Sequence, residues 1–242
     1  KITATTTGKV PNTSPTAASS GSDLNGMAAQ NAAEQIKDRM TDVAAEQFNV
    51  PKGEIVFSSN RIYAGNRSIS FAELAALSWE KRVSLSATGF YRTPKIHWDF
   101  ASNSGRPFYY FTYGVAATEV AIDTLTGEMR VLRAELVQDC GASLNPAIDL
   151  GQIEGAFVQG MGWLTTEELV WDQKGKLRTH GPSTYKIPGS RDVPPVFNAR
   201  ILQNSPNQEE TVFRSKAVGE PPLMLALAVW LAVRDAISSL SE

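Results

Sequence analysis

The 242-residue chain carries 23 Lys and Arg against 25 Asp and Glu, a net charge of -2, which argues against a nucleic acid or an anionic membrane as partner. Apolar residues make up 42% and charged residues 20%, as in an ordinary globular protein with a sizeable core, and one large domain is expected. The single cysteine, Cys140, excludes an intrachain disulfide and a four-cysteine iron–sulfur or zinc site built within the chain.

The longest apolar run, residues 223–233, falls short of the roughly 20 residues that span a bilayer, and nothing has the pattern of a signal peptide. A soluble, cytoplasmic protein is the expectation. The first residues, Lys1, Ile2 and Thr3, lack an initiator Met, so a piece of something longer is expected.

Residues 11–22 form a loop of small and hydroxyl side chains, and the apolar residues Leu24, Met27, Ile36 and Met40 predict a helix over residues 24–40. Such a loop feeding a helix offers free N–H groups and Ser hydroxyls to an anion, with Ala17 and Ala18 leaving room for a flat ligand. Plain N-capping by Ser22 or Asp23 explains it equally. Further on, a strand is predicted at residues 55–57, a short helix at 71–79 and a strand at 85–91. Residues 109–123 and 128–139 read as a long hairpin with Gly127 in its turn. His97 and His180, the only histidines, lie far apart without acids at ligand spacing, so neither a His-based metal site nor a Ser-His-Asp triad is expected.

Asn145 as N-cap and Pro146 at the first helical position predict a helix reaching about Trp163. On it Leu150, Ile153, Phe157, Met161 and Leu164 make an apolar face, while Gly151, Gly155, Gln159 and Gly162 share another. Three glycines cost a helix roughly 1 kcal/mol apiece relative to alanine, so a close backbone approach should be what they serve. Either a ligand meets the Gln159 carboxamide there or a second helix packs on it.

Residues 168–171 and 177–179 flank a second predicted hairpin, a proline-rich loop follows, and strands are expected at 196–202 and 211–215. Beyond the last of these, Glu220 stands at a joint made rigid by Gly219, Pro221 and Pro222, ahead of an apolar run that reads as a buried helix. A carboxylate there is either a helix-start acid without chemistry or a poised base. The pattern as a whole predicts an α+β fold of antiparallel hairpins with packed helices.

Four stretches in one order, residues 11–19, 141–160, 181–188 and 216–223, resemble the C-terminal part of the molybdopterin-binding region of the xanthine dehydrogenases, a family of molybdenum hydroxylases. The resemblance covers nearly the whole chain, residues 1–242. It implies a molybdenum ion carried by a pterin dithiolene, which hydroxylates a purine carbon and takes hypoxanthine and xanthine toward urate with oxygen derived from water. It makes Glu220 the general base that activates the attacking hydroxyl, sets Gln159 beside the molybdenum ligands, and lines the substrate and cofactor cavity with Ala17 and Ala18. Ser19, Ser20 and Gly21 fall where that family holds the pterin. No residue of this chain is implied as a direct metal ligand.

The family's other motifs near the metal and around the purine would lie ahead of this chain. The resemblance therefore implies partners: the remaining molybdopterin-binding segment, and segments or subunits carrying 2Fe-2S clusters and FAD. An aldehyde oxidase of the same family, or an assembly subunit without catalysis, are the alternatives.

Overall fold

The structure, a computed structural model, describes residues 8, 17 and 19–240, which form two compact units. The smaller comprises residues 21–95. Its first helix, α1 (Gly21–Phe48), extends beyond both ends of the predicted helix and closes with the buried residues Met40, Val43, Ala44 and Phe48. Three short antiparallel strands, β1 (Ile55–Ser58), β2 (Arg61–Ala64) and β3 (Arg67–Ser70), cover that end of α1. Ile62 and Ala64 alternate inward on β2 as a half-buried strand requires.

Helix α2 (Phe71–Glu80) begins with a capping box. The Ser70 hydroxyl accepts from the Glu73 N–H, and the Glu73 carboxylate accepts from the Ser70 N–H. Those bonds hold the Glu73 carboxyl below its ordinary pKa. Leu74 seals the core of this unit.

The strand predicted over residues 85–91 does not form. Two of its carbonyls bond to side chains of α1 instead of a neighbouring strand, with Arg39 donating to the Ser86 oxygen at 2.9 Å and Gln35 to the Thr88 oxygen at 3.4 Å. Gly89 meets the backbone of Ala28 so closely that any side chain would collide with it.

In the larger unit a short hairpin, β4 (His97–Asp99) with β5 (Ser104–Arg106), precedes the long one, β6 (Gly114–Ile122) with β7 (Met129–Gln138). Gly127 occupies the turn with φ +75°, and Asp123 accepts from the N–H groups of Leu125 and Thr126. The ladder pairs Glu119 with Arg133 but Val120 with Val131, leaving Leu132 as an extra residue. This bulge shifts the alternation so that Val131, Ala134 and Leu136 all face the core.

Helix α3 (Pro146–Thr165) follows, capped by Asn145 as predicted. The chain then returns to lay β8 (Val196–Ile201) beside β7 in parallel. That parallel pair departs from the antiparallel expectation, and its cause is the long crossover through α3, which brings the chain back to the starting end of the sheet. The hairpin predicted at residues 168–179 shrinks to one bridge, Trp171 with Leu177.

Residues 211–215 are not a strand. Val212–Arg214 forms a tight 3-10 turn with Phe213 and Arg214 both at positive φ, 48° and 62°. Side chains claim its backbone, since Asn207 Nδ2 and Thr211 Oγ1 donate to the Ser215 carbonyl at 3.1 and 2.7 Å.

The apolar run after Glu220 is a 3-10 helix, Pro221–Ala226, continued by α4 (Leu227–Ser238). It is not buried throughout. Leu225, Ala226 and Val229 enter the core, while Leu231 is 54% exposed, because only one side of the helix meets the unit.

Phe157 is fully buried on α3 and its ring lies 5.4 Å from that of Phe197. Phe157→Ala should cost about 3–5 kcal/mol of stability, read as a lower midpoint in chemical denaturation. A shift worth under about 1 kcal/mol would mean that the α3 packing is mistaken.

Candidate functional site

Gly219 and Glu220 lead into two prolines, whose missing N–H groups would have had no helical partner there. The Glu220 backbone has φ -103° and ψ -40°, and its carboxylate makes no capping bond to the helix it precedes. Instead the Ser19 hydroxyl donates to Glu220 Oε2 at 3.0 Å, across 201 positions of sequence. A Cβ at position 219 would sit 3.0 Å from Ser19 Oγ, so the bare glycine leaves room for the contact. Glu220 is exposed.

Ser19 itself has φ +52°. The Ser20 hydroxyl and N–H both donate to the Ala17 carbonyl, at 2.7 and 3.3 Å, which ties Ser20 back to Ala17. Ala17 is exposed, Gly21 is the first residue of α1 in the smaller unit, and Ala18, with the loop at 11–16, lies outside the described residues.

Helix α3 distributes its glycines differently from the expectation. Space is open where side chains at Gly151 and Gly155 would stand, and Gln159 is exposed, its carboxamide making no hydrogen bond among the described residues. Gly162 does not join that bare face. The ring of Pro188 lies over it and Glu167 Oε1 would be 2.6 Å from its Cβ, so Gly162 serves packing.

A glycine not singled out from sequence, Gly160, is the point of closest approach to the helix after Glu220. A Cβ there would meet the Leu223 carbonyl at 2.6 Å and Ala226 Cβ at 2.8 Å. Three further residues escaped sequence reasoning. Gln152 Oε1 would lie 3.7 Å from a Cβ on Gly219. Asp139, which is buried, and Lys216, which is largely so, form an ion pair in the segment leading to the same joint. Asp139 had read only as the end of a hairpin, and Lys216 only as the first letter of the Glu220 motif.

Cys140 is buried nearby, and burial first, then the charges of Asp149 and Asp139, pushes its thiol up to about 12. It stays neutral and is no nucleophile at ordinary pH.

The structure brings Ser19, Gly219, Glu220 and Gln152 together at this joint, and no contact joins Gln159 to them among the described residues. Among the described residues no group of three or more His, Cys, Asp or Glu could hold a metal.

Residues 1–194 match the molybdopterin cofactor-binding domain family. The chain is 47% identical over 241 residues to the xanthine dehydrogenase/oxidase of Gallus gallus, a match covering 100% of this chain and 16% of that protein. To the xanthine dehydrogenase of Dictyostelium discoideum it is 48% identical over 241 residues, covering 98% of this chain and again 16% of the relative.

Among solved structures, quinoline 2-oxidoreductase from Pseudomonas putida superimposes with a TM-score of 0.80 at 26% identity, over 93% of this chain and 28% of that one. The aldehyde oxidoreductase from Desulfovibrio desulfuricans gives 0.69 at 25%, over 92% and 21%. The chain spans 16% of the length of the curated relatives it matches, one segment of proteins several times larger. With most of its length matched, this chain belongs to the molybdopterin cofactor-binding domain family.

Proposed function

We propose that residues 1–242 are the C-terminal portion of the cofactor-binding domain of a molybdenum hydroxylase that oxidises hypoxanthine and xanthine toward urate, with Glu220 as general base. The observation that carries this reading is the Ser19–Glu220 hydrogen bond, which joins two of the motifs that resemble the family. Identity of 47% across the whole chain to a protein named xanthine dehydrogenase/oxidase supports the purine over the aldehyde.

In this reading the bound molybdenum–pterin group takes up the electrons of the oxidation. The chain's own residues do the rest of the work assigned to them. Ser19 donates to Oε2 and so orients the carboxylate while leaving Oε1 to accept a proton. The turn of Ser19 and Ser20, with Gly21 after it, and the Gln159 carboxamide hold the pterin. By the family resemblance, Ala17 and Ala18 would line the space for the substrate. The iron–sulfur clusters and flavin belong to other segments or subunits of a soluble, cytoplasmic enzyme.

Glu220→Gln keeps shape and nearly the volume but cannot take the proton. In the assembled enzyme, turnover of xanthine should fall by at least about a hundredfold with molybdenum content unchanged. Near-normal turnover would sink the base assignment, and a preference for aldehydes in the parent enzyme would replace the purine.

Gln159→Ala tests the cofactor contact. Because Gln159 is exposed, its loss should move stability by no more than about 0.5 kcal/mol, while bound cofactor or activity falls. Unchanged cofactor content and turnover in a normally melting variant would remove Gln159 from the site.

The chain by itself should not behave as a finished protein. The larger unit leaves Phe108, Phe111, Tyr113, Trp163 and Phe213 each more than half exposed, the pattern of surface awaiting cover. Expressed alone it should aggregate or bind hydrophobic dyes, and co-expression with the remaining cofactor-binding segment should restore a monodisperse species by size-exclusion chromatography. A monodisperse, cooperatively melting isolated chain would contradict this.

A further inference from the structure

Glu220 is exposed, follows a glycine and makes no capping bond to its own helix, yet a base must be held within a fraction of an ångström of its target. Something upstream has to fix the joint. The segment that enters it, residues 214–217, is bound along its length to the end of β7.

The Ala142 N–H donates to the Arg214 carbonyl at 2.9 Å and the Lys216 N–H donates to the Cys140 carbonyl at 2.9 Å. The Ala217 N–H donates to Tyr110 Oη at 2.8 Å. Gly141, at φ +65°, lets the two backbones approach, since a Cβ there would stand 2.5 Å from the Arg214 oxygen.

At the centre of this seam lies an ion pair largely withdrawn from solvent. Lys216 Nζ donates to Asp139 Oδ2 at 2.5 Å, with side-chain exposures of 10% and 2%. The other carboxylate oxygen of Asp139 accepts from the Gly141 N–H at 2.9 Å, so one carboxylate grips both strands of the seam. Tyr113 closes the arrangement, its ring centroid 5.5 Å from Lys216 Nζ.

Behind it, Asn207 and Thr211 hold the Ser215 carbonyl and stabilise two successive residues at positive φ, a conformation that relaxes once its restraints go. A buried pair is a costly way to gain mere stability, since apolar residues of similar volume serve as well. Its directional grip on one backbone position is what an apolar pair would not provide.

We propose that Lys216, anchored by Asp139, is a positioning residue for Glu220. It fixes the backbone four residues ahead of the carboxylate without touching the reactants. The proposal rests on the general-base reading of Glu220.

The test uses the assembled enzyme with Lys216→Met, Lys216→Arg, Glu220→Gln and the double variant Lys216→Met/Glu220→Gln. A further double variant, Lys216→Met/Asp139→Asn, leaves no unpaired buried charge and stands in for Lys216→Met should that variant fail to fold. Turnover, KM, molybdenum content and hydrogen exchange of the Ala142, Lys216 and Ala217 amides are measured on each.

Loss of the anchor should lower kcat at least about tenfold with KM and molybdenum nearly unchanged, and quicken exchange at those three amides while the β6–β7 ladder keeps its protection. Lys216→Arg should recover most of the rate. In the Glu220→Gln background, Lys216→Met should cost almost nothing more, because both changes act through one carboxylate. Unchanged exchange at the three amides overturns the anchoring, whatever Glu220 does. A loss that multiplies with that of Glu220→Gln overturns positioning in favour of a separate role, and normal turnover in Glu220→Gln overturns the base reading independently of Lys216.

Discussion

The backbone of α3 runs against the Pro221–Ala226 helix at Gly160, where any side chain would collide with the Leu223 carbonyl. Much of the larger unit follows from that approach. It lets Ile153, Phe157 and Met161 reach the sheet formed by β6, β7 and β8 while Leu225, Ala226 and Val229 fill the same core from the other helix. One hydrophobic cluster thereby ties together the middle of the chain and its end. Glu220 stands three residues before the contact, so the packing that stabilises the core also determines where the carboxylate begins its reach.

Two kinds of force divide the task around that carboxylate. Dispersion and burial hold the helix after it, with Leu225 and Val229 out of water. Directional polar bonds hold the segment before it, through Asp139, Asn207 and Thr211. Apolar packing tolerates small slides, whereas a buried carboxylate gripping an ammonium and an N–H does not. The joint between them needs little of its own, and Gly219 and Ser19 supply only space and one hydrogen bond.

Local signals in the sequence were legible wherever local chemistry decides the outcome. Asn145 and Pro146 begin α3, Gly127 turns the long hairpin, and the α+β class is the one observed. The approach of Ser19 to Glu220 was not legible, since nothing local links residues 201 positions apart and the resemblance gave the two separate roles. What failed was decided by partners remote in sequence. An extended stretch at residues 85–91 had the composition of a strand but lies along α1 with two of its carbonyls taken by Arg39 and Gln35. Residues 211–215 read as β until Asn207 and Thr211 claimed the carbonyl of Ser215. Gly151 and Gly162 fall on one face of a helical wheel, yet only Pro188 distinguishes the packed position from the open one. The Asp139–Lys216 pair was invisible because its members are 77 positions apart.

Cys140 carries a last consequence. As the sole thiol of the chain it is buried and protonated, and alkylating or oxidising reagents need an accessible thiolate. Wherever the chain is folded, Cys140 is therefore shielded from maleimides without having to be removed. A cysteine introduced at an exposed position, such as the loop beside Leu125, would be the segment's one reactive handle for a spin label or fluorophore, and distances measured from it would report on the folded chain with its native core intact.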